Sequence, residues 1–421
     1  MTPAPRSHML PLLPLDEALE RLLAFVGTPL DSEPVRVGDA DGRVLAQDVV
    51  SALQVPPQDN SAMDGYALRC AEALTPGTEL PVSQRIAAGT SGTVLEPGSA
   101  ARIFTGAPIP PGADAVVMQE DCTALEGGSA DDSARARVRI NTIPKPGQNI
   151  RRAGEDVAHG AVVLTKGVRL GPAALGLAAS IGMDRLHVAR RPRVALFSTG
   201  DELVMPGTVD PAHMPPGVIY NSNRFVLNAL LRRMGCVVSD LGTVPDQRAA
   251  TVLALQEAAH AHDVILTSGG VSVGEEDHVK PAVQTLGTLD LWHVAIKPGK
   301  PFAHGRINQA HFMGLPGNPV ASLVTFLVLV RPFLLRLQGV PQVSVRPVVA
   351  RANFTWAKAD KRREFLRVRH NPDGGLDLFP NQGSGVLTSV AWGDGLVDNP
   401  PGRTIAPGDP VHFISFAELL A

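Results

Sequence analysis

The sequence predicts an α/β multidomain protein. A doubly wound α/β nucleotide-type domain is joined by an N-terminal β-rich domain, an extended linking domain and a small C-terminal β domain. Three observations carry this expectation. Between 191 and 339, β-branched apolar runs alternate with helical patterns, the grammar of strand–helix–strand units and a parallel sheet. Between 53 and 145, short β-like runs are broken by TPG, EPG, PPG and EGG with no helical period between them. After Pro341 the pattern returns to strands. A chain of 421 residues has room for several domains at about 150 residues each.

Each element follows from local chemistry. The first 50 residues read as a helix followed by an extended segment; Asp16 caps a helix over 17–26 that Gly27 ends. The β-rich domain, 53–145, carries strands at 80–82, 101–104, 115–118 and 136–140. In the α/β domain, 191–339, a buried-type strand at 193–197 precedes a helix that Ser222 caps. Val226, Leu227, Leu230, Leu231 and Met234 share one face of that helix, and Gly235 stops it. A strand at 236–239 leads to a helix capped by Asp246 and carrying Val252, Leu255 and Ala259; strands at 263–267 and 289–296 follow. The last helix opens at Asn318–Pro319, where Pro suits the first turn, and runs towards Gln338 with a disturbance at Pro332. The C-terminal domain, 340–421, has strands at 345–350, 364–369, 377–379 and 410–415.

Composition excludes several functions. Lys plus Arg number 38 against 41 Asp plus Glu, and aromatics are 4 %, so neither the charge nor the stacking surface of a nucleic-acid binder is present. Cys70, Cys122 and Cys236 are odd in number and lack CxxC spacing, which argues against a disulfide framework or thiolate zinc site and for a reducing, cytoplasmic setting. The start lacks a basic stretch leading into an apolar one, and the longest nearly apolar run, 320–330, falls short of the about 20 residues of a membrane helix. GxxxxGK[ST], GxGxxG, HExxH and GxSxG are all missing. His260 and His262 read as helix-end residues, not metal ligands.

In a doubly wound sheet, ligands bind beyond the carboxyl ends of the strands. Three loops rich in Gly and small polar residues fall there: Ser198 with Thr199, Gly200, Asp201 and Glu202; Ser268 with Gly269, Gly270, Val271, Ser272, Gly274 and Asp277; and Lys297 with Gly299, Lys300 and Pro301. Glycines let backbone N–H groups approach an anion closely, and the lysines add charge. Asp201, Glu202, Asp246 and Asp277 would repel a phosphate unless a cation intervened, and oxygen ligands beside phosphate select Mg²⁺. The competing reading is that these are tight turns and helix caps, Asp246 above all. In the N-terminal half, 59–66, 102–108 and 149–156 read from their residues alone as Asx-turns and a surface ion network.

DNSAMDGYA (59–67), RIFTGAPIPPGADAVVMQE (102–120), RRAGED (151–156), STGDEL (198–203), IYNSNR (219–224), TSGGVSVGEEDHVK (267–280), AIKPGKPFAHG (295–305) and GLPGNPV (314–320) stand in this order. Together they resemble the molybdopterin molybdenumtransferases, homologous to the E domain of gephyrin. The resemblance implies a four-part subunit in a homodimer whose active cleft lies between subunits. It also implies adenylylated molybdopterin and molybdate as substrates, Mg²⁺, and cleavage of the phosphoanhydride with release of AMP. Carried over by position, catalytic roles fall on Asp59, Thr105, Asp156, Glu202, Asp246 and Asp277, with Glu202 and Asp246 as Mg²⁺ ligands. Substrate contacts fall on Ser61, Thr199, Gly200, Asp201 and the 268–274 turn. Lys297, Lys300 and Pro301 form the molybdate corner, completed by Arg362 and Ser384. The chain departs from the family pattern at Asn221, at Gln247 after Asp246, and at Ala321 after GNPV. Two other readings are a molybdopterin adenylyltransferase, which resembles 191–338 alone and is also a candidate partner, and a non-catalytic gephyrin-like scaffold.

Overall fold

The computed structural model describes residues 12–125, 136–245, 247–270 and 278–420. Its central element is a seven-stranded sheet in the order Leu12–Leu13, Gly287–Val294, Pro301–Ile307, Ala310–Leu315, Val264–Ser268, Arg193–Thr199, Val237–Val244. Arg193–Thr199 is parallel to both its neighbours, and Val264–Ser268 is parallel to Ala310–Leu315. Pro301–Ile307 is antiparallel to the strands on either side. The sheet is therefore mixed, a correction to the fully parallel expectation. The cause is a hairpin that turns between Ile307 and Ala310 through Asn308 at φ +52°, a left-handed conformation that Asn tolerates. Two antiparallel steps restore direction, so Gly287–Val294 ends at the same sheet edge as Arg193–Thr199 and Val264–Ser268.

Both faces are covered, which explains the unbroken apolar runs. Val194 and Leu196 pack with Leu227, Leu231 and Phe333 on one face; Ala195 and Phe197 pack with Leu255, Ala258 and Val283 on the other. The first face rests on the helix Pro319–Leu337, which is long and apolar enough to cross a bilayer but has 89 % of its most apolar window buried inside the protein. Phe326–Val330 within it forms a π-turn just ahead of Pro332, whose missing N–H leaves the regular ladder incomplete.

The helix ends shift from the sequence expectation. The first helix spans Leu15–Ala24 with Pro14 at its N-cap, and Asp16 reaches Arg363 at 2.9 Å instead of capping. Asn221, not Ser222, caps the helix Ser222–Arg233, accepting from Arg224 N–H at 3.1 Å. Gln247 stands at the N-cap of Arg248–Ala261; the cap expected at Asp246 lies outside the described residues.

Two further six-stranded sheets flank this unit. One runs Ala115–Met118, Gly65–Leu68, Ala100–Ile103, Thr78–Ile86, Arg137–Ile140, Cys122–Leu125. The other runs Ile296–Lys297, Arg363–His370, Gly395–Asn399, Pro410–Ser415, Val348–Arg351, with Leu376–Leu378 on Arg363–His370. Ile296–Lys297 leaves the central sheet and pairs with Ile296 opposite Arg363 and Lys297 opposite Glu364, so the C-terminal sheet is stitched to the carboxyl edge. Between these units, Ser32–Arg36 pairs with Arg185–Ala189 beside the helix Pro172–Ser180.

Candidate active site

A cleft of about 580 Å³ opens at that carboxyl edge. Gly269 and Gly270 follow Val264–Ser268, the 297–301 turn follows Gly287–Val294, and Gly317 and Asn318 follow Ala310–Leu315. Arg362, Gln382, Gly383 and Ser384 close the cleft from the C-terminal unit. Two glycines are required by geometry. Gly270 has φ +67°, and a Cβ there would overlap Val279 Cγ2 and lie 2.9 Å from Thr199 Oγ1. Gly299 has φ +111°, and a Cβ there would overlap Thr325 Oγ1. Asn223 donates to Gly317 O at 2.7 Å, while Asn223 Oδ1 and Thr325 Oγ1 are buried without partners among the described residues.

The electrostatics separate the two lysines. Lys297 Nζ lies 2.9 Å from Glu364 Oε1 and 3.4 Å from Asp360 Oδ2. Glu364 is 1 % exposed and also accepts from Trp356 Nε1 at 2.8 Å and Asn399 Nδ2 at 3.4 Å. Arg362 grips Asp360 through Nε at 3.0 Å and Nη2 at 2.8 Å. That hydrogen-bonded guanidinium holds the Asp360 carboxyl far below the usual range, and Asp360 in turn raises Arg362. Lys300 is half-buried and has no carboxylate partner among the described residues. Among the described residues, three cations thus face two acids, and the surplus positive charge sits on Lys300.

Thr199 is buried at the same edge, and the Glu202 carboxylate lies against Gly200, whose φ is +137°. Asp201 follows Gly200 in this loop. Among the described residues no three His, Cys, Asp or Glu side chains form a metal cluster. Mg²⁺ needs only one or two carboxylates when phosphate oxygens supply the rest, so a loop presenting Glu202 fits it in donor chemistry. Asp246, Val271, Ser272, Gly274 and Asp277 lie outside the described residues.

Other sequence candidates gather in the N-terminal half. Asn60–Ser61 pairs with Ile150–Arg151, which brings Asp59 to Arg152 Nη1 at 2.6 Å and to Ala153 N–H at 2.8 Å. The Ala153 N–H is the main reason that the Asp59 carboxyl is lowered. Ser61 is buried and donates to Met63 O at 2.6 Å. Thr105 donates through N–H at 2.8 Å and Oγ1 at 2.7 Å to Asp64 Oδ1, and its N–H chiefly lowers that carboxyl. Asp156 N–H donates to Val55 O at 3.0 Å. Within one chain, then, Gly269, Gly270, Lys297, Lys300, Pro301, Arg362 and Ser384 line one cleft, whereas Asp59, Ser61, Thr105 and Asp156 do not line it. Sequence reasoning singled out neither Glu364 and Asp360 beneath Lys297, nor Asp64 beneath Thr105, nor Asn318 and Gln382. A signal was present for Asn318, since Gly-Asn-Pro follows a buried strand.

Fold and site together define an α/β protein with a cleft at the carboxyl edge of its sheet, lined by Lys297, Lys300 and Arg362 and closed by a C-terminal β unit. Residues 13–182 match the MoeA N-terminal region (domain I and II), 195–336 the "Probable molybdopterin binding domain", and 349–416 the MoeA C-terminal region (domain IV). A Haemophilus influenzae protein named molybdopterin molybdenumtransferase is 43 % identical over 358 residues, 85 % of each chain. A Synechococcus elongatus protein of the same name is 35 % identical over 420 residues, covering 96 % of this chain and all of the relative. A Pyrococcus horikoshii molybdopterin biosynthesis MoeA crystal structure superposes with TM-score 0.75 at 30 % identity, over 96 % of this chain and 99 % of its own. The chain belongs to the MoeA family of molybdopterin molybdenumtransferases.

Proposed function

We propose that this transferase inserts molybdenum from molybdate into adenylylated molybdopterin, coupled to Mg²⁺-dependent cleavage of the phosphoanhydride and release of AMP. The observation that carries this reading is the cleft, where, among the described residues, Lys300 has no carboxylate partner and a surplus of positive charge stands beside Gly-lined strand tips. A dianion gains there what carboxylates alone would deny it. Lys297, Lys300, Pro301, Arg362 and Ser384 receive molybdate. Residues 268–274 and the Thr199–Asp201 loop receive the nucleotide and its phosphates, through backbone N–H groups and hydroxyls. Glu202 and Asp246 hold Mg²⁺, which when bound neutralises phosphate oxygens at the anhydride. Asp277 orients water towards the phosphorus; water adds across the P–O–P link, leaving AMP and the pterin phosphate.

Asp59, Thr105 and Asp156 do not line their own chain's cleft. A homodimer, in which a second copy presents that N-terminal cluster to the cleft, gives them a catalytic place. The division into 1–52 with 146–190, 53–145, 191–339 and 340–421 follows the same reading. A cytoplasmic location accords with three free cysteines. Molybdopterin adenylyltransferase, which makes the substrate, is the fitting partner.

The test is direct. Purified protein given adenylylated molybdopterin, molybdate and Mg²⁺ should release AMP only with all three present, and Asp277→Asn should slow release at least about tenfold (~1.4 kcal/mol). Absence of AMP release, or pyrophosphate production from ATP instead, overturns the reading.

A further inference from the structure

Directly behind the 382–384 turn lies a charge that the proposed chemistry does not use. Arg367, on the strand Arg363–His370, is 1 % exposed. Its guanidinium donates from Nε to Ser389 Oγ at 3.0 Å, from Nη1 to Phe365 O at 3.1 Å and from Nη2 to Gly383 O at 3.2 Å. Its backbone holds the same turn, donating N–H to Gln382 Oε1 at 2.9 Å and accepting from Gln382 Nε2 at 3.0 Å. Every acceptor is neutral. Among the described residues no carboxylate lies within ion-pair distance of it. Arg363 and Arg362, on and beside the same strand, are by contrast paired with Asp398 and Asp360.

Burying an ion without a counter-ion is unfavourable, and a neutral side chain would serve simple packing as well or better. Burial alone pulls Arg367 down to about 10, which still leaves it charged at neutral pH. The turn that it grips has Gln382, Gly383 and Ser384 on the cleft wall. Ser384 O in turn accepts from Val320 N–H at 2.9 Å and Ala321 N–H at 3.4 Å, so the turn is fixed from both sides.

We propose that Arg367 is a positioning residue for the oxyanion: it braces the 382–384 turn from behind, and its unneutralised charge is balanced by the dianion in the cleft. The inference rests on the reading that this cleft receives molybdate. It adds a buried charge to the contacts that Arg362 and Ser384 make from the C-terminal unit, and it predicts an effect on molybdate separate from any effect on the nucleotide.

The experiment is calorimetric binding of molybdate, and separately of AMP, to the full chain without turnover. Arg367→Gln removes the charge and keeps a donor; it should weaken molybdate about tenfold or more, change AMP by less than about twofold, and leave the ligand-free melting temperature undiminished. Arg367→Lys keeps the charge and should bind molybdate within about threefold of wild type. Ser389→Ala loosens the brace without touching the charge and should weaken molybdate about threefold with AMP unchanged, so it carries the test if Arg367→Gln does not fold. Unchanged molybdate binding in both Arg367→Gln and Ser389→Ala overturns the proposal, as does parallel loss of molybdate and AMP. Wild-type protein that binds no molybdate refutes the reading of the cleft itself; wild-type binding that is indifferent to Arg367 refutes only this inference.

Discussion

The two cleft lysines are expected to behave differently when each is replaced by alanine. Lys300 has no carboxylate partner among the described residues, so Lys300→Ala removes a charge that none of their carboxylates neutralises and that the ligand would meet. A hydrogen bond to a charged group contributes about 1.5–3 kcal/mol, equivalent to a loss of roughly 10- to 150-fold in molybdate affinity. Folding should be untouched. Lys297 is tied to Glu364 at 2.9 Å, and that carboxylate is 1 % exposed. Lys297→Ala leaves Glu364 with Trp356 and Asn399 as its remaining partners and adds an unneutralised negative charge beside the cleft. Removing one member of a fully buried pair costs about 3–5 kcal/mol; with the Lys297 side chain 35 % exposed, solvent reduces this to roughly 1–3 kcal/mol. Lys297→Ala should therefore lose both melting temperature and molybdate affinity, and Lys300→Ala affinity alone. Calorimetric titration with molybdate and thermal unfolding of both variants decide the matter. Wild-type molybdate affinity in Lys300→Ala, or equal melting-temperature losses in the two, would refute this reasoning.

Three other outcomes follow from the geometry. Gly299→Ala places a methyl on Thr325 Oγ1 at a φ that favours glycine, so it should lower the melting temperature and displace Lys300, measured as weaker molybdate binding. Asp64→Asn weakens the hold on both Thr105 donors and should lower turnover with molybdate affinity unchanged, in a kcat measurement beside a binding titration. His304 and His311 lie 3.4 Å apart in the core, His304 against Phe25, and burial pulls them down to about 3 and about 4. Below the unfolded value of about 6.5 the unfolded chain takes up protons that the folded one refuses, so stability falls with pH by roughly 2 kcal/mol per ring at pH 5. His304→Leu should narrow the melting-temperature gap between neutral pH and about pH 5; an unaltered gap would assign that acid sensitivity to other groups.

Much of the site was legible because its strands are buried on both faces. Runs such as DVILT end in Gly and Ser clusters that a regular element cannot use, and these clusters do stand at one sheet edge. The hairpin 301–315 was not legible: its Asn308-Gln309 turn carries no glycine, and two-sided burial removes the alternation that marks a strand. Nor could single-chain patterning find Glu364, which reaches Lys297 from 67 positions away only because Ile296–Lys297 joins the C-terminal sheet. Asp64 was hidden for a similar reason. Its side chain serves Thr105 from 41 positions away, while its local text reads as an Asx-turn. Two helix caps were misplaced, by one residue where Asn221 and by two where Pro14 stood at the boundary.

The central claim is that the carboxyl-edge cleft receives the oxyanion. Crystals of the protein grown with tungstate, a heavy isostere of molybdate, test it most directly by anomalous scattering. The account predicts one strong peak between Lys300, Arg362 and Ser384; a fully occupied peak elsewhere, with this cleft empty, would contradict it.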